Sequence, residues 1–121
     1  MPSTAGPKDE RPRADIVIGD RYGTSCVGIV AEVIERALRD RGYAVSRNKP
    51  YAGGFITEHY GNPTAGLHTV QLEVNRALYM DERRFERGAN FAVVARDLEA
   101  VADALQAIER QELRPYRAAA E

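Results

Sequence analysis

The sequence predicts an α/β fold, a mixed or parallel sheet with flanking helices in the order β-α-β-long loop-β-α. Three observations predict it. A short apolar run, Ala14 to Ile18, ends at Gly19-Asp20 and suits a buried strand. Two apolar stripes recur at helical spacing, one from Cys26 to Leu38 and one from Phe91 to Ile108. Between them stand two alternating stretches, Tyr43 to Arg47 and Thr69 to Asn75. Strands interleaved with helices imply helices packed on a sheet.

Residues 1–13 hold three prolines and five charges with little to bury, so an extended leader is expected there. A single domain is placed at 14–112, with a short tail at 113–121. Asp20-Arg21-Tyr22-Gly23 reads as a turn, and Thr24 or Ser25 is expected to cap the first helix. That helix carries Val27, Ile29, Val30, Val33, Ile34, Ala37 and Leu38 on its apolar side and leaves Glu32, Glu35, Arg36 and Arg39 outside. Gly42 is placed to end it. A second strand follows at once, then a long loop, then the third strand. The last helix is expected over Asn90 to Gln111, with Phe91, Val94, Ala95, Leu98, Val101, Ala102, Leu105 and Ile108 forming one face. The two helical faces look built for a sheet of more than three strands.

Composition narrows the function classes. A formal charge of −1 gives no electrostatic case for binding nucleic acid. No apolar run reaches the ~18 residues that a membrane helix needs. The first fifteen residues have no apolar segment of the secretory type, and a cytoplasmic setting is the default expectation. One cysteine, Cys26, excludes an internal disulfide and a cysteine-rich zinc site, and it reads as core packing. His59 and His68 match no recognised metal-ligand spacing and read as polar or loop residues.

The most informative stretch is the loop from Pro50 to Gly66 with the strand after it. Its 17 residues include four glycines, two prolines and three aromatics. Loops of this length are usually functional or disordered, and Tyr51, Phe55 and Tyr60 argue against disorder. The Gly53-Gly54 pair lets a backbone approach a ligand closely. In the strand, Gln71, Glu73 and Asn75 share one side and Val70, Leu72 and Val74 the other. Alternation of this kind belongs to any half-solvated strand, but a carboxylate at Glu73 beside Arg76 and a polar loop is also a candidate general base.

Three motifs carry a family resemblance. They are Asn48-x-Pro50-Tyr51-x-Gly53-Gly54, Tyr60-Gly61-x-Pro63, and Gln71-x-Glu73-x-Asn75-Arg76-x-Leu78-Tyr79-Met80-Asp81-Glu82. Together they resemble the C-terminal signature of the N-formylglutamate amidohydrolases, within the zinc-carboxypeptidase-like hydrolases. Arg13-x-Asp15-Ile16-Val17-Ile18-Gly19-Asp20-Arg21 resembles the family segment just before it, so the resemblance covers about residues 11–82. It implies hydrolysis of a small N-acyl amino acid, N-formyl-L-glutamate or a relative, to formate and glutamate, as a step of histidine degradation. It implies zinc-activated water with Glu73 as the catalytic base, and Asn48, Gly53, Gly54 and Arg76 as substrate-binding candidates. It also implies that the zinc ligands lie upstream, one of them in a motif reading Asp-x-His-Ser-Met-Pro-Ser. Met1-Pro2-Ser3 matches the end of that motif. The expectation is therefore a truncated or fragmentary amidohydrolase that binds no zinc tightly by itself. The alternative is a non-catalytic module that binds a small ligand or pairs with another chain, or with itself, through an uncovered sheet edge.

Overall fold

The computed structural model of the protein describes residues 1–3 and 13–115, so most of the expected leader and most of the tail lie outside the described residues. Strand β1 (Ile16–Gly19) is the centre of a three-stranded sheet. It pairs in parallel with β2 (Val45–Arg47) and antiparallel with β3 (Gln71–Val74), giving the order β2-β1-β3. The sheet is therefore mixed. A strand buried on both faces needs a continuous apolar run, and all four residues of β1 are buried. Ala14 and Asp15 fall outside the strand because the Asp15 and Ile16 amides both donate to the Ala44 carbonyl, while the Asp15 carboxylate takes the Ala44 amide. The ladder is pinched at that point.

Helix α1 (Gly28–Asp40) covers one face of the sheet with Val30, Ala31, Ile34 and Leu38. They meet Ile16, Ile18, Cys26, Val45 and Val101 in a single core, and Leu72 and Val74 pack against it. The helix begins two residues later than its sequence suggests, and neither expected cap acts as one. Thr24 Oγ1 donates to the Arg21 carbonyl and Ser25 Oγ to the Thr69 carbonyl. Val27 is the N-cap, and its amide is taken instead by His68 Nδ1 at 3.2 Å. Gly42 follows the helix with φ +90°, in the left-handed region where helices commonly end.

The long loop is not without structure. It contains α2 (Phe55–Tyr60) and a 3-10 turn at Pro63–Ala65. After β3 a further 3-10 turn, Arg76–Leu78, leads into a small hairpin of β4 (Met80–Asp81) and β5 (Glu86–Arg87). Asp81 Oδ1 accepts the amides of Arg83 and Arg84 in that hairpin. The last helix, α3 (Phe91–Gln106), packs on α1 but is shorter than expected. A reciprocal Glu109–Glu112 cap starts a separate 3-10 turn at Arg110–Leu113. Of the predicted α3 face only Val94 and Val101 are buried. No helix among the described residues is long and apolar enough to cross a membrane.

Candidate active site

Residues directly opposite each other on antiparallel strands project to the same face. Ile16 faces Val74 and Ile18 faces Leu72 on the core side. Val17 opposite Glu73, and Gly19 opposite Gln71, therefore lie on the side away from α1. Glu73 is about one third exposed (31%); it stands on the half-buried β3, opposite the fully buried Val17 of β1, and meets solvent.

The loop closes onto this face at Gly19 and Gly53. A Cβ on Gly19 would stand 2.8 Å from the Ala52 carbonyl carbon and from the Gly53 nitrogen, so only a residue with no side chain lets the loop lie against the strand end. Gly53 has φ +118°, and a Cβ there would overlap Thr57 Oγ1. The turn is anchored by Arg21, whose amide donates to the Ala52 carbonyl and whose guanidinium donates to the Gly53 carbonyl. The buried Thr57 donates from Oγ1 to the Gly54 carbonyl.

Gln71 connects this turn to the carboxylate. The Gly54 amide donates to Gln71 Oε1 at 2.9 Å, and Gln71 Nε2 donates to Glu73 Oε1 at 2.6 Å. On the far side, the Met1 nitrogen lies 3.9 Å from Glu73 Oε2 and donates to the Val74 carbonyl. The Arg76 amide donates back to the Met1 carbonyl. Residues 1–3 thus run beside the end of β3, and Ser3 is held by Glu82 through its amide and its hydroxyl. Those Ser3 hydrogen bonds, followed by the nearby Arg76 guanidinium, hold the Glu82 carboxyl below its ordinary range. Arg76 Nε stands 3.3 Å from Glu82 Oε1, an ion-pair distance without hydrogen-bond alignment, on a side chain that is 40% exposed.

Gly53, Gly54 and Glu73 are thus brought together through Gln71, and Arg76 joins them through Met1. Asn48 occupies a different position. It is buried at the end of β2 with φ +61°. Its Oδ1 accepts the Asp20 and Tyr22 amides, and its Nδ2 donates to Asp20 Oδ1. One N–H of its amide is left for any other partner. Sequence reasoning missed the linking residues, Gln71 and Arg21. Gln71 had a visible signal, its place on the Glu73 side of the strand, but its partner Gly54 is 17 positions away and only folding brings them together.

The resemblance implies zinc, and the described residues do not supply a centre for it. Among them no group of three or more His, Cys, Asp or Glu side chains could hold a metal ion. His59 is stacked against Phe55 with its edge to Tyr60, and His68 is turned to the start of α1. Cys26 is buried, and desolvation first, then the Asp20 charge, pushes its thiol up to about 11, so it is a packing residue rather than a nucleophile.

The family model of N-formylglutamate amidohydrolase matches residues 1–80. The N-formylglutamate deformylase of Pseudomonas putida is 38% identical over 69 residues, covering 56% of this chain and 26% of that protein. The one from Pseudomonas aeruginosa is 39% identical over 70 residues, covering 57% and 26%. The crystal structure of N-formylglutamate amidohydrolase from Ralstonia eutropha JMP134 superposes with a TM-score of 0.79 at 39% identity, covering 88% of this chain and 39% of that one. The chain spans about a quarter of the length of the curated relatives it matches. With two thirds of its length matched by the family model and the same fold in a solved member, this chain belongs to the N-formylglutamate amidohydrolase family.

Proposed function

We propose that this chain contributes the general-base half of a hydrolytic site acting on N-formyl-L-glutamate or a closely related N-acyl amino acid. The observation that carries this reading is Glu73. It is a partly exposed carboxylate on a half-buried strand, fixed on one oxygen by Gln71, which also accepts the Gly54 amide, inside the segment matched to the family. In this reading Glu73 accepts a proton from the attacking water and returns it to the leaving nitrogen. The water oxygen joins the formyl carbon, the C–N bond breaks, and formate and glutamate leave. The Arg76 guanidinium offers a planar donor fork suited to a substrate carboxylate. The Gly53-Gly54 turn forms a wall that comes close to the substrate, and Asn48 fixes Asp20 and Tyr22, the neighbours of the Arg21 that anchors that turn.

Among the described residues no group of three or more His, Cys, Asp or Glu side chains could hold the zinc that the resemblance implies, so no step here runs through it. Such an ion, where bound, would supply Lewis-acid polarisation and a more acidic water. The reading is tested with a hybrid in which residues 1–80 replace the matching segment of the Pseudomonas putida deformylase. Release of glutamate from N-formyl-L-glutamate, faster than from N-acetyl-L-glutamate, is the expected result. A hybrid that folds but releases glutamate from neither would overturn it.

A further inference from the structure

We propose that Gln71 is a positioning residue that couples the Gly53-Gly54 turn to the Glu73 carboxylate, aligning the base only when that turn is closed on the strand. The proposal rests on the reading of Glu73 as the base and adds how its geometry is set. Both partners fix the orientation of the Gln71 amide. A backbone N–H can only donate and an ionised carboxylate can only accept, so the amide oxygen must face Gly54 and its nitrogen must face Glu73. Glutamate at this position would present acceptors to both partners, and leucine would present neither donor nor acceptor. The amide is the uncharged group that serves both ends.

The turn end of this link is held independently of Gln71. Thr57 Oγ1 donates to the Gly54 carbonyl at 2.7 Å, and Arg21 donates to the Gly53 carbonyl at 3.1 Å. The Gly54 amide is thereby placed by the loop, Gln71 is placed by Gly54, and Glu73 Oε1 is placed by Gln71. With Oε1 occupied, Oε2 is the oxygen left to carry the transferred proton. It is also the oxygen nearer the Met1 nitrogen. A ligand that displaces the glycine turn would release Gln71 and free the carboxylate to rotate. Closure of the loop and readiness of the base are then one event.

The test needs no turnover. In amide-proton NMR spectra of the chain recorded through the carboxylate pH range, the Gly54 amide and the Gln71 side-chain amide should follow protonation of Glu73. In Gln71→Leu, and in the near-isosteric Gln71→Met, the Gly54 amide should stop following it while the Glu73 carboxyl carbon still titrates. In Glu73→Gln the Gly54 transition should vanish with Gln71 intact. An unchanged Gly54 transition in both Gln71 variants would overturn the proposal, as would a Gly54 amide in the native chain that ignores Glu73. In the hybrid enzyme, Gln71→Leu should lower kcat by about 10- to 100-fold with KM little altered, the signature of lost alignment. If Gly54 follows the carboxylate but formate release does not need Glu73, the coupling stands and the base assignment fails.

Discussion

Gly53 and Tyr43 show how much single residues contribute here. At Gly53 the positive φ and the crowding by Thr57 act together. Gly53→Ala is expected to cost about 2–4 kcal/mol in urea unfolding, the sum of a left-handed backbone penalty and overpacking. Tyr43 donates its hydroxyl to Asp97 on α3 at 2.5 Å, and Asp97 also meets Arg41. Desolvation and the Asp97 hydrogen bond and charge push the phenol up to about 12 from 10. A raised folded pKa favours the protonated form in the native state. This contribution is therefore complete below pH 10 and lost as pH rises to 12. The urea midpoint of the native chain should fall more steeply over that window than that of Tyr43→Phe. Parallel curves for the two proteins would remove the link between Tyr43 and α3.

At the scale of elements, sequence periodicity gave the long pieces and local chemistry moved their ends. β1, α1 and the β-α-β-loop-β-α order were legible because continuous apolar runs and helical stripes extend over several residues. α2 was not, since six residues make fewer than two turns and Phe55, Ile56 and Tyr60 point outward. The hairpin at 80–87 has strands of two residues each, too short to show alternation. The start of α1 depended on tertiary partners. Ser25 and Thr24 are both plausible caps in the sequence, but their hydroxyls are used by Thr69 and Arg21, and His68 from a distant loop takes the orphan amide. Ser25→Ala should cost about 1–3 kcal/mol because the Thr69 carbonyl loses a buried donor. His68→Leu should cost about 1 kcal/mol through the lost cap. The exposed Thr24→Ala should stay within about 0.5 kcal/mol. Denaturant melts of the three variants check this order, and a Thr24 effect equal to that of Ser25 would contradict it.

For the whole molecule, the sequence suggested helical faces too broad for three strands; the main sheet has three strands, only Val94 and Val101 of α3 are buried, and further apolar side chains stand open elsewhere. Phe55, Ile56, Leu67 and Phe85 are each more than half exposed, and β2 and β3 are the outer strands of the sheet. Apolar patches and open edges favour association. Sedimentation velocity over a concentration series should show a rising average sedimentation coefficient, and a constant monomer value would speak against self-association. The candidate site was half legible. Glu73, Arg76 and the glycine turn stood out as residue types beside a strand. Gln71 as their link, and Met1 to Ser3 lying against the end of β3, depend on contacts across most of the chain.

The base assignment is tested most directly by formate release from N-formyl-L-glutamate in the hybrid enzyme, comparing native Glu73 with Glu73→Gln. Replacing a general base should lower kcat by about 10²- to 10⁴-fold while the variant keeps the native fold by circular dichroism. A folded Glu73→Gln hybrid that retains more than about a tenth of the native rate would contradict the role of Glu73 as the base.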